Sequence, residues 1–81
     1  MKTVNYSIAV GETNQVADGT MVTTVQVLDG FLRMYVGDAA PTDDSNYVLL
    51  TRGDIMPMAQ NVKAWVKGRA EYSVASVEPV S

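Results

Sequence analysis

Apolar and polar residues alternate along this chain in short bursts with a period of two, not the 3.6 of a helix. Val4, Tyr6, Ile8 and Val10 alternate with Asn5, Ser7 and Ala9, which predicts a strand. Residues 11–15 break that pattern, and Asp18 followed by Gly19 is a turn dipeptide. Residues 20–28 carry Val22, Thr23, Thr24, Val25 and Val27, whose β-branched side chains favour extended backbone. Asp29-Gly30 stands between two apolar runs and predicts a two-residue hairpin, with residues 31–36 returning as the next strand. Residues 37–46 read as a loop. Strands are expected at 47–51, 55–58, 62–67 and 71–77, with turns at Arg52-Gly53-Asp54 and Gln60-Asn61 and a bend at Gly68. Pro57 confines its strand to a sheet edge or bulge, and Pro79 ends the last strand. No useful helical window, internal repeat or low-complexity stretch interrupts the series. The expectation is one all-β domain over residues 1–81, a small antiparallel β-sandwich or barrel of six to seven short strands.

The sharpest local pattern lies in residues 62–67. Alternation puts Val62, Ala64 and Val66 on one face and Lys63, Trp65 and Lys67 on the other. If the small apolar face is the core, the single Trp points outward between two lysines. Trp is over-represented at interface hot spots. Lysine stems laid over the ring, or a buried Trp on the reverse face, would account for the same pattern. Tyr72 in the last strand joins Trp65, Lys63 and Lys67 as a candidate contact residue. In that strand Tyr72, Val74 and Ser76 oppose Ser73, Ala75 and Val77, so neither face is plainly built for water. A covering neighbour is expected there. Met34 alternates with Leu32 and reads as core; Met56 and Met58 fill gaps or line an association surface.

Composition narrows the chemistry. The 81 residues include no His and no Cys, which removes disulfides, the usual structural zinc site and most nucleophilic or proton-transfer machinery. A domain of this size buries roughly 60–65% of its unfolded surface, so self-association is the expected extra support. The net charge is −3, which argues against general affinity for nucleic acid or anionic membrane. No run approaches a membrane span, and the first residues lack the apolar segment of a signal peptide. Asp38, Asp43 and Asp44, with Thr42, Ser45 and Asn46, are oxygen donors in one loop, but their spacing departs from that of a calcium loop. Arg52-Gly53-Asp54 spells an integrin-recognition tripeptide and reads as ordinary turn chemistry. Paired carboxylates without a concave pocket make a poor hydrolase. No enzyme activity and no cofactor are expected.

The run Leu32-Arg33-Met34-Tyr35-Val36, the loop Gly37-Asp38-Ala39-Ala40-Pro41, then Asn46-Tyr47-Val48-Leu49-Leu50, Val62-Lys63-Ala64-Trp65-Val66-Lys67 and the tail 72–77 carry a resemblance. In this order they resemble the small β-sandwich virion proteins of tailed bacteriophages, over residues 31–78. The resemblance implies a structural protein of the virus particle, made in the bacterial cytoplasm. It would decorate the capsid as a cement protein or serve at the head–tail junction. Its partners would be the major capsid protein or other virion proteins, and its form a homo-oligomer, a trimer above others, without nucleic acid or membrane. A rival expectation is a ligand-binding β module that takes carbohydrate or a receptor through Trp65 and the 38–46 loop.

Overall fold

In the computed structural model, residues 2–41 and 46–77 are described. They form six strands and no helix: β1 (Lys2–Ile8), β2 (Asn14–Asp18), β3 (Val22–Val36), β4 (Val48–Thr51), β5 (Ile55–Met58) and β6 (Lys63–Val77). All pairings are antiparallel. β3 and β6, 15 residues each, run side by side from Val22↔Val77 to Val36↔Ala64. β1 and β2 pair with successive stretches of the free side of β6, and β5 and β4 with successive stretches of the free side of β3.

The ladder pattern contains a two-fold relation. Two units, β1–β2–β3 and β4–β5–β6, each consist of two short strands and a long one, and every ladder joins a strand of one unit to a strand of the other. The relation has no counterpart in sequence, which is why the chain reads as free of repeats. The turns that lead into the two long strands meet, with the Asn61 amide donating to the Gly19 carbonyl at 2.9 Å. Asn61 takes a φ of 73° there, a conformation that Asn accepts more readily than most residues.

The long strands are creased, so the two halves of the sheet share one core. On β6 the buried positions keep even numbers throughout: Ala64, Val66, Ala70 and Tyr72. On β3 they change phase, from Thr23, Val25 and Val27 to Leu32 and Met34, because a bulge between Val27 and Asp29 inserts one residue. The expected hairpin at Asp29-Gly30 is therefore corrected. β3 passes straight through the dipeptide, whose turn chemistry serves the crease, with the Asp29 carboxylate accepting the Gly30 amide at 3.0 Å. Gly68 likewise lies inside β6 and does not end a strand. A Cβ on Gly30 would stand 2.2 Å from the Arg69 carbonyl oxygen, and one on Gly68 2.6 Å from that of Phe31. The two backbones approach so closely at the crease that only glycine fits.

β2 falls largely in a stretch expected to be a break. It is a five-residue edge strand with a bulge between Gln15 and Ala17, and only Val16 and Ala17 are apolar. β5 pairs only with β3, as Pro57 requires; Met58 is buried and Met56 packs on the core beside it, which settles both methionines as filling. Asp54 turns its carboxylate back to the Thr51 amide and hydroxyl, at 2.8 and 3.2 Å. The Gly53 amide and the Asp54 carbonyl bond to Val27. The Arg-Gly-Asp tripeptide is thus a turn stapled to β3. Asp43, Asp44, Thr42, Ser45 and Pro79 lie outside the described residues.

Candidate functional site

The half of the sheet formed by β2, the first half of β6, the second half of β3 and β4 has an inner face and an outer one. Ala64, Val66, Leu32, Met34 and Leu50 are buried inside. Strand alternation then places Lys63, Trp65, Lys67 and Arg69 of β6, Phe31, Arg33 and Tyr35 of β3, and Leu49 of β4 on the outer face. Register brings them into rows. Gln15, Trp65 and Tyr35 lie across three adjacent strands. Lys67, Arg33 and Leu49 form the next row, and Arg69, Phe31 and Thr51 the one after.

Four of the six Lys and Arg residues in a chain of net charge −3 thus share one face. Two of them are held by aromatic rings: the Lys67 Nζ lies 5.5 Å from the Tyr35 ring centre, and the Arg33 guanidinium 5.4 Å from that of Tyr47. The Tyr35 and Tyr47 rings stand 5.8 Å apart at 51°. Attraction between a cation and a ring face fixes both long side chains at little cost in water contact. Tyr35 is buried beneath these neighbours, whereas Phe31, Tyr47 and Leu49 remain exposed. Beside Phe31, Arg33, Lys67 and Gly68, residues Val10, Gly11, Glu12 and Thr13 wall a cleft of about 350 Å³. Glu12 is turned into its own loop there, accepting the Ala9 amide at 3.1 Å.

Acidic neighbours of the face are few. Asp18 is paired in register with Lys63 at its margin. Its carboxyl is held below the ordinary value chiefly by the Thr20 hydroxyl and amide, which donate at 2.6 and 2.9 Å, and least by Lys63. Among the described residues no group of three His, Cys, Asp or Glu side chains could hold a metal ion. No helix there is long and apolar enough to cross a membrane.

Of the residues singled out from sequence, Trp65, Lys63 and Lys67 do share this outer face, with Trp65 half-buried. Tyr72 is withdrawn from the patch. It lies on the opposite side of β6 at 1% exposure, stacked 5.6 Å from Tyr6, its hydroxyl accepting from Asn14 Nδ2 at 2.9 Å. An odd separation of seven residues along one regular strand cannot put Trp65 and Tyr72 on one face. Both edges of β6 are paired with strands of its own chain, whereas Ser73, Val74, Ala75 and Ser76 are only half-buried on its faces. Phe31, Arg33, Arg69, Tyr47 and Leu49 were not singled out from sequence. Alternation within 31–36 would set the first two on the face opposite Leu32 and Met34, but only register shows that they lie beside Arg69 and Lys67.

Burial pushes the Tyr72 hydroxyl above its ordinary 10.0, with the Asn14 hydrogen bond opposing. The fold thus favours the neutral phenol. The stability this gives is complete below pH 10 and is lost as pH rises from there through the raised value. Urea midpoints taken between pH 9 and 11 should fall more steeply in the parent protein than in Tyr72→Phe. Equal slopes would show that Tyr72 ionises freely.

Comparison with protein-family models, curated proteins and solved structures finds no match to this chain.

Proposed function

We propose that this chain is a non-catalytic structural subunit that docks on an acidic protein surface through the outer face of β2–β6–β3–β4. The observation that carries this is the gathering of Arg33, Lys63, Lys67 and Arg69 around Trp65, Phe31 and Tyr47, in a chain whose total charge is negative. Arg and aromatic residues are what interface cores accumulate, and a one-signed patch orients an oppositely charged partner. Residues 31–78, where the chain resembles phage virion proteins, include every residue of that patch. The resemblance supports a virus particle as the setting, the partner being a capsid or head–tail protein. Many weak copies on a repeating lattice would then stabilise the assembled state by mass action.

Virus particles recovered from cells that make this chain should hold it in fixed ratio to a repeating coat protein. The Lys63→Glu/Arg69→Glu double variant should fold but be lost from them. Trp65→Ala should weaken binding about 30-fold, the ~2 kcal/mol of a hot-spot aromatic. Particles without the chain, or with the double variant at full occupancy, would remove the reading.

The same interleaving of cations and aromatics favours a second reading, single-stranded nucleic acid stacked on Trp65 and Phe31. An oligonucleotide that quenches Trp65 with steep salt dependence would put that reading first. Quenching by sugars would instead favour the carbohydrate module.

A further inference from the structure

The four outer strands differ in how their free edges are protected. β5 carries Pro57, β4 has four residues, and β2 has five and a bulge. Each is a recognised way of discouraging a foreign strand. β1 has none of them. It pairs without a bulge over seven consecutive residues, Lys2↔Ser76 to Ile8↔Ala70, contains no proline and bears a single charge at its first position. Its other edge meets no strand among the described residues. The side chains along it are mostly exposed, Tyr6 at 46%, although Tyr6 and the half-buried Val4 belong to the side that faces the core.

We propose that β1 is a self-association edge, on which a second copy of this chain adds its own β1 antiparallel about a two-fold axis at Asn5. The strand is self-complementary in that arrangement. Full overlap of seven residues sets Asn5 against the partner's Asn5, Val4 against the partner's Tyr6 and Thr3 against the partner's Ser7. Between the end pairs, which set Lys2 against the partner's Ile8, apolar thus meets aromatic and polar meets polar, the combinations that stabilise cross-strand pairs. The ends are complementary in charge as well. Lys2 marks one end of β1; at the other end Glu71 pairs with Ser7 and Asp29 is paired to Glu71, with Arg69 lining the same hollow, while Glu12 in the following turn shares its cleft with Arg33 and Lys67. Antiparallel addition brings each Lys2 to the acidic end of the other copy, twice by symmetry. The two-fold axis at Asn5 lies apart from the basic outer face, which the far end of β1 meets at Arg69 and Glu12, so charge reversal at Asn5 tests the pairing without altering that face.

A charge swap at the axis tests the pairing. Asn5 is exposed, so charged side chains there leave the fold intact. Light scattering behind size exclusion should give the mass of two chains for the parent protein, and of one chain for Asn5→Lys and for Asn5→Glu, each of which faces itself across the axis. An equimolar mixture of the two variants should return to the mass of two. A single-chain mass for the parent up to about 1 mM, the weak limit of specific association, would overturn the proposal. So would a dimer or a trimer whose mass is indifferent to both variants.

Discussion

Gly30→Ala is expected to remove a large part of the protein's stability, although it adds one methyl group. The added Cβ would stand 2.2 Å from the Arg69 carbonyl oxygen and 3.0 Å from the Ala70 Cα, both backbone atoms of the central strand. No rotamer relieves contact with a backbone, and the φ of +86° strains any side chain further. Opening the crease to make room would separate the β3–β6 ladder on which all four other strands are built. A chain of this length has a total stability of roughly 4–12 kcal/mol, and displacement of a central ladder costs on the order of 3 kcal/mol or more. Two other glycines serve as controls. Gly11 has a φ of +95° but open space around it, so Gly11→Ala should cost only ~1 kcal/mol. Gly37 has neither constraint, and Gly37→Ala should be neutral or slightly stabilising. Thermal melts of the three variants by circular dichroism rank them. A Gly30→Ala protein melting within a few degrees of the parent would show that the crease is not tightly closed.

Tyr72→Ala should cost about 3–5 kcal/mol, the usual range for deleting a buried aromatic side chain. Tyr72 heads the fully buried side chains by volume, and its ring joins Tyr6 of β1 to the core. Asn14 of β2 donates to its hydroxyl, so one residue ties both strands on that side of β6. Tyr72→Phe keeps the ring and loses one half-buried hydrogen bond, an effect of ~1 kcal/mol. Urea denaturation of the pair separates the roles. If Tyr72→Ala kept its stability and lost only partner binding, the residue would belong to the contact patch after all.

How this fold can be read from sequence depends on the range of the interactions that decide each element. Alternation in 20–28 and 62–67, and in 4–10 as far as Ile8, was legible because each strand has one face on the core and burial imposes period two locally; Val10 lies beyond β1 and is exposed. Asp29-Gly30 misled for the opposite reason. A dipeptide that turns a chain by 180° and one that creases a strand need the same positive φ, and the choice rests on β6, some 40 residues away. β2 escaped notice because Asn14, Gln15 and Asp18 are polar on both sides of Val16-Ala17; pairing with β6 makes it a strand. For the outer face, sequence placed Trp65 between Lys63 and Lys67 but left its surroundings open. Tyr35 and Arg33 come opposite Trp65 and Lys67 through the register of β3 on β6, which no local pattern encodes.

That every ladder crosses between β1–β2–β3 and β4–β5–β6 also bears on how the chain acquires its structure. Neither half, when it leaves the ribosome, contains a partner for any of its own strands. Residues 2–36 have no sheet to join until the second half has been made, so no stable intermediate of one half precedes the whole. Only β3–β4 closes a short loop, at Met34↔Val48, and the other ladders join distant positions, which places folding at the slow end for a small domain. The same interlock permits an exchange: in concentrated solution the first half of one molecule can take the second half of another, keeping every ladder while joining two chains.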